Sequence, residues 1–239
     1  MGFVRIDKKG KVAVLTLNRP EKKNSLSPEF TKEIDKSLSS LEGSVVVIFR
    51  GEGGFFSAGG DLSIMYSISG NEAREFSKNG NEFMDRIENF PGITIAAVEG
   101  GAYGGGLELA LSCDFRIASP QTKIGLTEIN LGILPGWGGM KRIAKIAGSG
   151  VARYVALTGK ILDGNEAYRL GLITLLSDDP LKYAMEMAES LSQKSLESIR
   201  RIKELLGRTE YSSDLEAKLF GEVLETAPAR AALEKFLKK

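Results

Sequence analysis

Ala96-Ala97-Val98-Glu99-Gly100-Gly101-Ala102-Tyr103-Gly104-Gly105-Gly106-Leu107-Glu108-Leu109-Ala110 is an apolar, strand-like run that breaks into glycines and restarts as a helix. Glycine tolerates positive φ and lets a second backbone or a ligand approach closely, and the first N–H groups of a helix lack intrahelical partners. Such a turn is a donor site for a partially negative oxygen, and this one carries a carboxylate, Glu108. Read alone, it is also a plain packing corner in which Glu108 complements the helix dipole.

Two further glycine-rich turns flank it. Upstream, residues 45–49 form a continuous apolar run, the pattern of a strand covered on both faces, leading into Gly51-Glu52-Gly53-Gly54-Phe55-Phe56-Ser57-Ala58-Gly59-Gly60-Asp61. Downstream, residues 115–118 spell a short strand, and Lys123-Ile124-Gly125-Leu126-Thr127-Glu128 precedes Gly132-Ile133-Leu134-Pro135-Gly136-Trp137-Gly138-Gly139. Nearer the N-terminus, residues 12–17 read as a strand paired with 4–6 across Lys8-Lys9-Gly10-Lys11. Ser27 and Pro28 open a helix whose Phe30, Ile34, Leu38 and Leu41 keep helical spacing.

Phe76, Phe83, Ile87 and Phe90 mark one face of a helix over 71–90. Further helices are expected over 140–147 and 151–157, a capping box at Asp163-Gly164-Asn165-Glu166, and a last strand over 172–176. Beyond Asp178-Asp179-Pro180 come helical runs with few glycines. Strand–helix alternation followed by helices predicts an α/β fold with a helical C-terminal extension. Residues 1–178 would form the core, and 179–239 would dock on it or on another subunit.

The 239 residues contain 32 Lys plus Arg against 31 Asp plus Glu, so no global field recruits nucleic acid or an anionic membrane. The N-terminal residues lack a long apolar run, and none elsewhere reaches the roughly 18 residues of a membrane span, so the expected location is the cytoplasm. The one cysteine, Cys113, excludes an internal disulfide and a cysteine-based metal cluster. There is no histidine, which removes Ser-His-Asp triads, Cys-His dyads and HExxH zinc sites together. Acid–base chemistry near neutrality is left to carboxylates, lysines, tyrosines or bound water.

A dinucleotide fingerprint fails at each Gly-x-Gly start: the third-glycine position holds Phe56, Leu109, Lys141 or Arg153. No Gly-Lys-Ser/Thr P-loop is present either. Taken in order, however, Phe56-Ser57-Ala58-Gly59-Gly60-Asp61-Leu62, Gly101 to Ala110 with Cys113-Asp114, and Glu128 through Gly139 resemble the signature blocks of the enoyl-CoA hydratase/isomerase (crotonase) family. Asn18-Arg19-Pro20 with Asn24-Ser25-Leu26 is similar to its N-terminal block. The resemblance runs over nearly the whole chain. Departures fall at Phe90-Pro91-Gly92-Ile93, at Met140 and at Ala232, the last weakening the expected tail contacts to coenzyme A.

The resemblance implies a spiral of repeated ββα units, a helical tail that helps form trimers or dimers of trimers, and an acyl-CoA thioester substrate with no separate cofactor and no metal. It implies that the Gly60 and Gly105 N–H groups form an oxyanion hole and that the Ala58 backbone meets the adenine. Ser25, Leu62 and Gly136 complete the expected substrate-binding set. Trp137 would cap the acyl pocket or pack under its turn, Lys22 and Lys23 would pair with CoA phosphates or stay solvated, and Asp61 would cap the following segment or contact substrate.

Glu108 and Glu128 occupy the two positions where hydratases of this family carry glutamates. Hydration of a conjugated double bond needs a base for water at Cβ and an acid for Cα, and two carboxyls sharing a site suffice, their like charge raising one pKa. The expected activity is reversible hydration of a 2-enoyl-CoA. An enoyl-CoA isomerase and a non-catalytic binding or scaffold subunit of the same fold are the alternatives.

Overall fold

The computed structural model describes residues 2–208, 210 and 212–238. In chain order the elements are β1 (Val4–Lys9), β2 (Val12–Leu17), α1 (Pro28–Ser39), β3 (Val46–Gly51), α2 (Leu62–Ser67), α3 (Gly70–Glu88), β4 (Ile93–Val98), β5 (Gly101–Tyr103), α4 (Gly105–Ser112), β6 (Phe115–Ala118) and β7 (Lys123–Gly125). They continue with α5 (Gly139–Thr158), β8 (Leu162–Asp163), α6 (Gly164–Arg169), β9 (Leu175–Leu176), α7 (Pro180–Leu191), α8 (Leu196–Gly207), α9 (Ser213–Leu224) and α10 (Ala227–Leu237).

Six strands form one sheet in the order β1-β2-β3-β4-β6-β9, antiparallel at β1/β2 and parallel from β2 onward. β3 and β4 are buried on both faces, which is why they read as unbroken apolar runs. Val47, Phe49, Ala96 and Val98 pack with Phe30, Ile34, Phe83 and Leu107 from α1, α3 and α4. Val46, Ile48, Ile95 and Ala97 pack with Ala184 and Ala188 of α7 and Ile199 of α8. The tail thus begins by covering the sheet's second face, and α8 is tied down where Lys203 donates to Asp114 Oδ2 at 2.7 Å and to the Gly92 carbonyl at 2.9 Å.

A second, shorter layer runs beside the first. β5 pairs in parallel with β7, which pairs antiparallel with β8. Isolated parallel bridges extend the layer, Ser57 to Ala102 and Leu26 to Gly60. Each pass of the chain therefore adds one strand to the large sheet (β2, β3, β4, β6) and one short segment to the small one (Leu26, Ser57–Gly60, β5, β7). This is the spiral of ββα units that the resemblance implies. Among the described residues no helix is long and apolar enough to cross a membrane.

Local boundaries differ from the sequence expectation in physically simple ways. The helices expected over 140–147 and 151–157 are one element, α5, broken at Gly148, whose φ of 86° and ψ of 160° leave the helical region. The strand expected over 172–176 is confined to Leu175–Leu176. Phe90 lies just past the end of α3 but remains in the core.

Candidate active site

The small layer runs out beside Gly60. Gly59 C=O accepts from Leu26 N–H at 2.7 Å and Asp61 N–H donates to Leu26 C=O at 3.0 Å. Backbone groups alternate sides along an extended segment, so the Gly60 N–H faces away from Leu26. On that far side Ser57 still pairs with β5, its carbonyl accepting from Tyr103 N–H at 3.0 Å, but the neighbouring chain then turns at Gly104 into α4. Gly60 is left without a ladder partner, and Gly105, first residue of α4, has the unpaired N–H of a helix start. Neither N–H donates to another group among the described residues. The two turns touch: a methyl group on Gly105 would lie 3.2 Å from the Gly60 nitrogen.

One turn into α4, Glu108 is 1% exposed. Its Oε1 accepts from Trp137 N–H at 2.9 Å and from Gly139 N–H at 2.8 Å. Burial pushes its pKa up to about 7, with the nearby Glu128 charge adding to the rise and the two N–H donors opposing it. Glu128 opens a short 3-10 turn (Glu128–Leu131), and burial raises its pKa as well. Its Oε2 is buried with no hydrogen-bond partner among the described residues. Gly104 turns the chain at φ 49° and ψ −123°, a conformation that favours glycine, and a side chain there would also press on Glu128 Oε1 at 2.8 Å.

These groups open onto a cavity of about 730 Å³ lined by Ala58, Gly60, Gly105, Glu108, Glu128, Leu62, Gly136 and Trp137 among others. Much of its wall is apolar: Trp137 packs tilted against Phe76 with ring centroids 5.1 Å apart, and Met65 lies against Gly60. Trp137 thus lines the cavity with its ring set against Phe76 and Gly80 of α3 and against Gly105.

Four of the sequence candidates stand apart from that lining. Lys22 and Lys23 are exposed in and after the 3-10 turn Pro20–Lys22. Lys23 touches the site region through its carbonyl, which accepts from Ala58 N–H at 2.9 Å, while its ammonium sits 5.5 Å from the Phe55 ring centroid. Asp61 caps α2 through Ser63 N–H at 3.2 Å and pairs with Arg19 Nη1 at 3.0 Å. Arg19 also donates to the Ser25 carbonyl at 3.1 Å, so Ser25 and Asp61 brace the strand that carries Gly60.

Three contributors escaped the sequence reading. Ser77 and Asn81 of α3 both donate to the Gly136 carbonyl at 2.7 Å, and Arg142 donates to the Trp137 carbonyl at 2.9 Å. Their contacts span 55 residues or more for the α3 pair, beyond any local pattern. A polar pair on the otherwise apolar face of α3 was the available signal.

In this crotonase-type spiral two unpaired N–H groups stand at one cavity with one buried carboxyl, Glu108, and one half-buried carboxyl, Glu128. The chain belongs to the enoyl-CoA hydratase/isomerase family, whose model matches residues 7–239. It is 39% identical over 240 residues to a probable enoyl-CoA hydratase of Bacillus subtilis, covering 95% of this chain and 93% of that one. It is 34% identical to a short-chain-enoyl-CoA hydratase of Clostridium acetobutylicum, covering 99% and 95%. The crystal structure of an enoyl-CoA hydratase from Bacillus anthracis superposes with a TM-score of 0.94 at 30% identity, covering 99% and 96%.

Proposed function

We propose that the chain adds water reversibly across the 2,3 double bond of a 2-enoyl-CoA thioester to give a 3-hydroxyacyl-CoA. The observation that carries this reading is the pair of carboxyls, buried Glu108 and half-buried Glu128, facing one cavity beside the free N–H groups of Gly60 and Gly105. The thioester carbonyl accepts both N–H groups, which bind the enolate-like oxygen of the transition state more strongly than the ground-state carbonyl. Glu108 takes a proton from water as its oxygen bonds to C3. The electron pair of the double bond moves onto the thioester oxygen, and Glu128 delivers a proton to C2 as that pair returns. Coenzyme A is part of the substrate, so the scheme uses neither a separate cofactor nor a metal.

In this reading Ala58, which lines the cavity, meets the adenine, and Lys22 and Lys23 meet the CoA phosphates. Exposed Leu131 (60%), Leu157 (70%) and Ile129 (43%) support assembly into trimers or dimers of trimers. The buried free thiol of Cys113 accords with a reducing, cytoplasmic location.

The test is loss of the conjugated-thioester absorbance of crotonyl-CoA, with Glu108→Gln and Glu128→Gln made separately. Each substitution is expected to lower turnover by at least ~1,000-fold. Near-wild-type turnover by either variant removes that glutamate from the chemistry. Faster double-bond migration in a 3-enoyl-CoA than hydration of a 2-enoyl-CoA makes the chain an isomerase instead.

A further inference from the structure

The two N–H groups on Glu108 Oε1 belong to peptides whose carbonyls are also held. A trans peptide is planar, with its C=O and N–H pointing in opposite directions, so gripping one end aims the other. The Trp137 N–H shares a peptide with the Gly136 carbonyl, which accepts from Ser77 Oγ and Asn81 Nδ2, both at 2.7 Å. The Gly139 N–H shares one with the Gly138 carbonyl, which accepts from the backbone N–H of Arg142 at 3.1 Å, the first bond of α5 and one that any side chain at 142 leaves in place. Between them, the Trp137 carbonyl accepts from Arg142 Nη1 at 2.9 Å. The Arg142 guanidinium, 2% exposed, is anchored in turn to α3, at 2.6 Å from Asp85 Oδ1 and 2.9 Å from Glu88 Oε2.

We infer that Asn81 and Arg142 are positioning residues: Asn81 holds from its carbonyl end the peptide that carries the Trp137 N–H, and the Arg142 side chain fixes the next peptide, the one between the two donors, so that both N–H groups stay aimed at Glu108 Oε1. The clamp leaves Glu108 Oε2 as the oxygen able to meet water. It rests on the assignment of Glu108 above, and it makes α3, which supplies the cavity wall, also the support of the carboxylate. The charged groups facing this unit are Glu128 on Glu108, and Asp85 and Glu88 on Arg142, with Lys141 at 3.6 Å from Asp85 and Lys145 at 3.2 Å from Glu88. Loosened N–H donors stabilise the Glu108 anion less, so its protonation moves to higher pH.

Trp137 is the only tryptophan in the chain, so intrinsic fluorescence reads the clamped loop without turnover. The experiment compares Asn81→Leu, Arg142→Lys and Arg142→Met with wild type, in kcat and KM for crotonyl-CoA, in the acid limb of the pH profile, and in a fluorescence-detected pH titration. Asn81→Leu, which changes no charge, is expected to lower kcat about 10-fold with KM within about threefold, and to move the acid limb and fluorescence midpoint up by about half a pH unit. Arg142→Met moves both further. Arg142→Lys keeps the charge without the fork and is expected to fall between wild type and Arg142→Met.

Folded Asn81→Leu and Arg142→Lys proteins with wild-type kcat and midpoint overturn the clamp, whatever their melting temperatures. Glu108→Gln is expected to abolish the fluorescence titration. Full turnover by Glu108→Gln would sink the assignment of Glu108 to the chemistry, while the fluorescence midpoint of Asn81→Leu still decides the clamp.

Discussion

Gly80 and Trp137 share one volume: the indole lies where a side chain on Gly80 would begin, and any Cβ there would overlap Cδ1, Nε1 and Cε2 of the ring. Helix α3 thus carries a notch, and the cavity wall is a ring seated in it. Gly80→Ala forces the indole outward, since the neighbouring Phe76 ring blocks sliding along the helix. The expected outcome is about 1–3 kcal/mol of lost stability by chemical denaturation and a red-shifted tryptophan emission. Adding Trp137→Leu should recover most of that stability and leave kcat low.

Gly60 and Gly105 answer differently to the same methyl group. At Gly60 it meets the flexible end of Met65, which can move aside. Gly60→Ala should therefore fold normally and raise KM by narrowing the cavity. At Gly105 the methyl lies 3.0 Å from the Trp137 ring and 3.2 Å from the Gly60 nitrogen, covering the proposed donors. Gly105→Ala is expected to lower kcat about 100-fold, the scale of a lost oxyanion donor, in steady-state hydration assays.

The displaced pKa of Glu108 makes stability pH-dependent with a definite sign. The folded carboxyl holds its proton up to about pH 7, whereas the unfolded one releases it near the ordinary 4.5. Between those values the folded state binds more protons, so stability falls as pH rises through that window and levels off above pH 7. Each pH unit of the displacement corresponds to about 1.4 kcal/mol at most. Urea titrations at pH 5 and pH 8 should show wild type losing stability toward pH 8, and Glu108→Gln losing distinctly less.

Asp61 carries the opposite sign. The Ser63 hydroxyl, then Arg19, hold its carboxyl below the ordinary 3.8, so the stabilisation is present above that pH and vanishes as pH falls through the lower folded value. Asp61→Asn removes the nearer counter-charge of the Arg19 guanidinium, 16% exposed, leaving Glu21 at 3.9 Å. A loss of about 1–3 kcal/mol is expected at pH 7, closing below pH 4. Equal losses at pH 7 and pH 3 would show that shape, and not charge, was removed.

What the sequence revealed follows the range of the interactions. β3 and β4 were legible because burial on both faces leaves an unbroken apolar run, and α1 because Phe30, Ile34 and Leu38 repeat at helical spacing with Ser27 as cap. The ordered glycine blocks carried the family and, with it, the spiral. The small layer was not legible: β5, β7 and β8 are two or three residues long, too short for any period to show. Nor was α2, six residues without a buried side chain. Glu108, Glu128 and Trp137 could be named as candidates, but the partners that orient them, Asn81 and Arg142, speak only through contacts between distant segments.

The two-layer spiral sets a length. Gly60 ends one segment of the small layer and Gly105 follows the adjacent one, β5, across the turn at Gly104; the two segments themselves are held at about 4.8 Å by backbone pairing. Two N–H groups at about that spacing can each reach one shared oxygen at about 2.9 Å. The gauge of the proposed oxyanion site is therefore set by backbone, through the pairing that holds Ser57 beside Ala102 and the turn at Gly104, before any side chain is chosen. Cavity walls such as Met65, Phe76 and Trp137 can be exchanged for other acyl groups without resetting it.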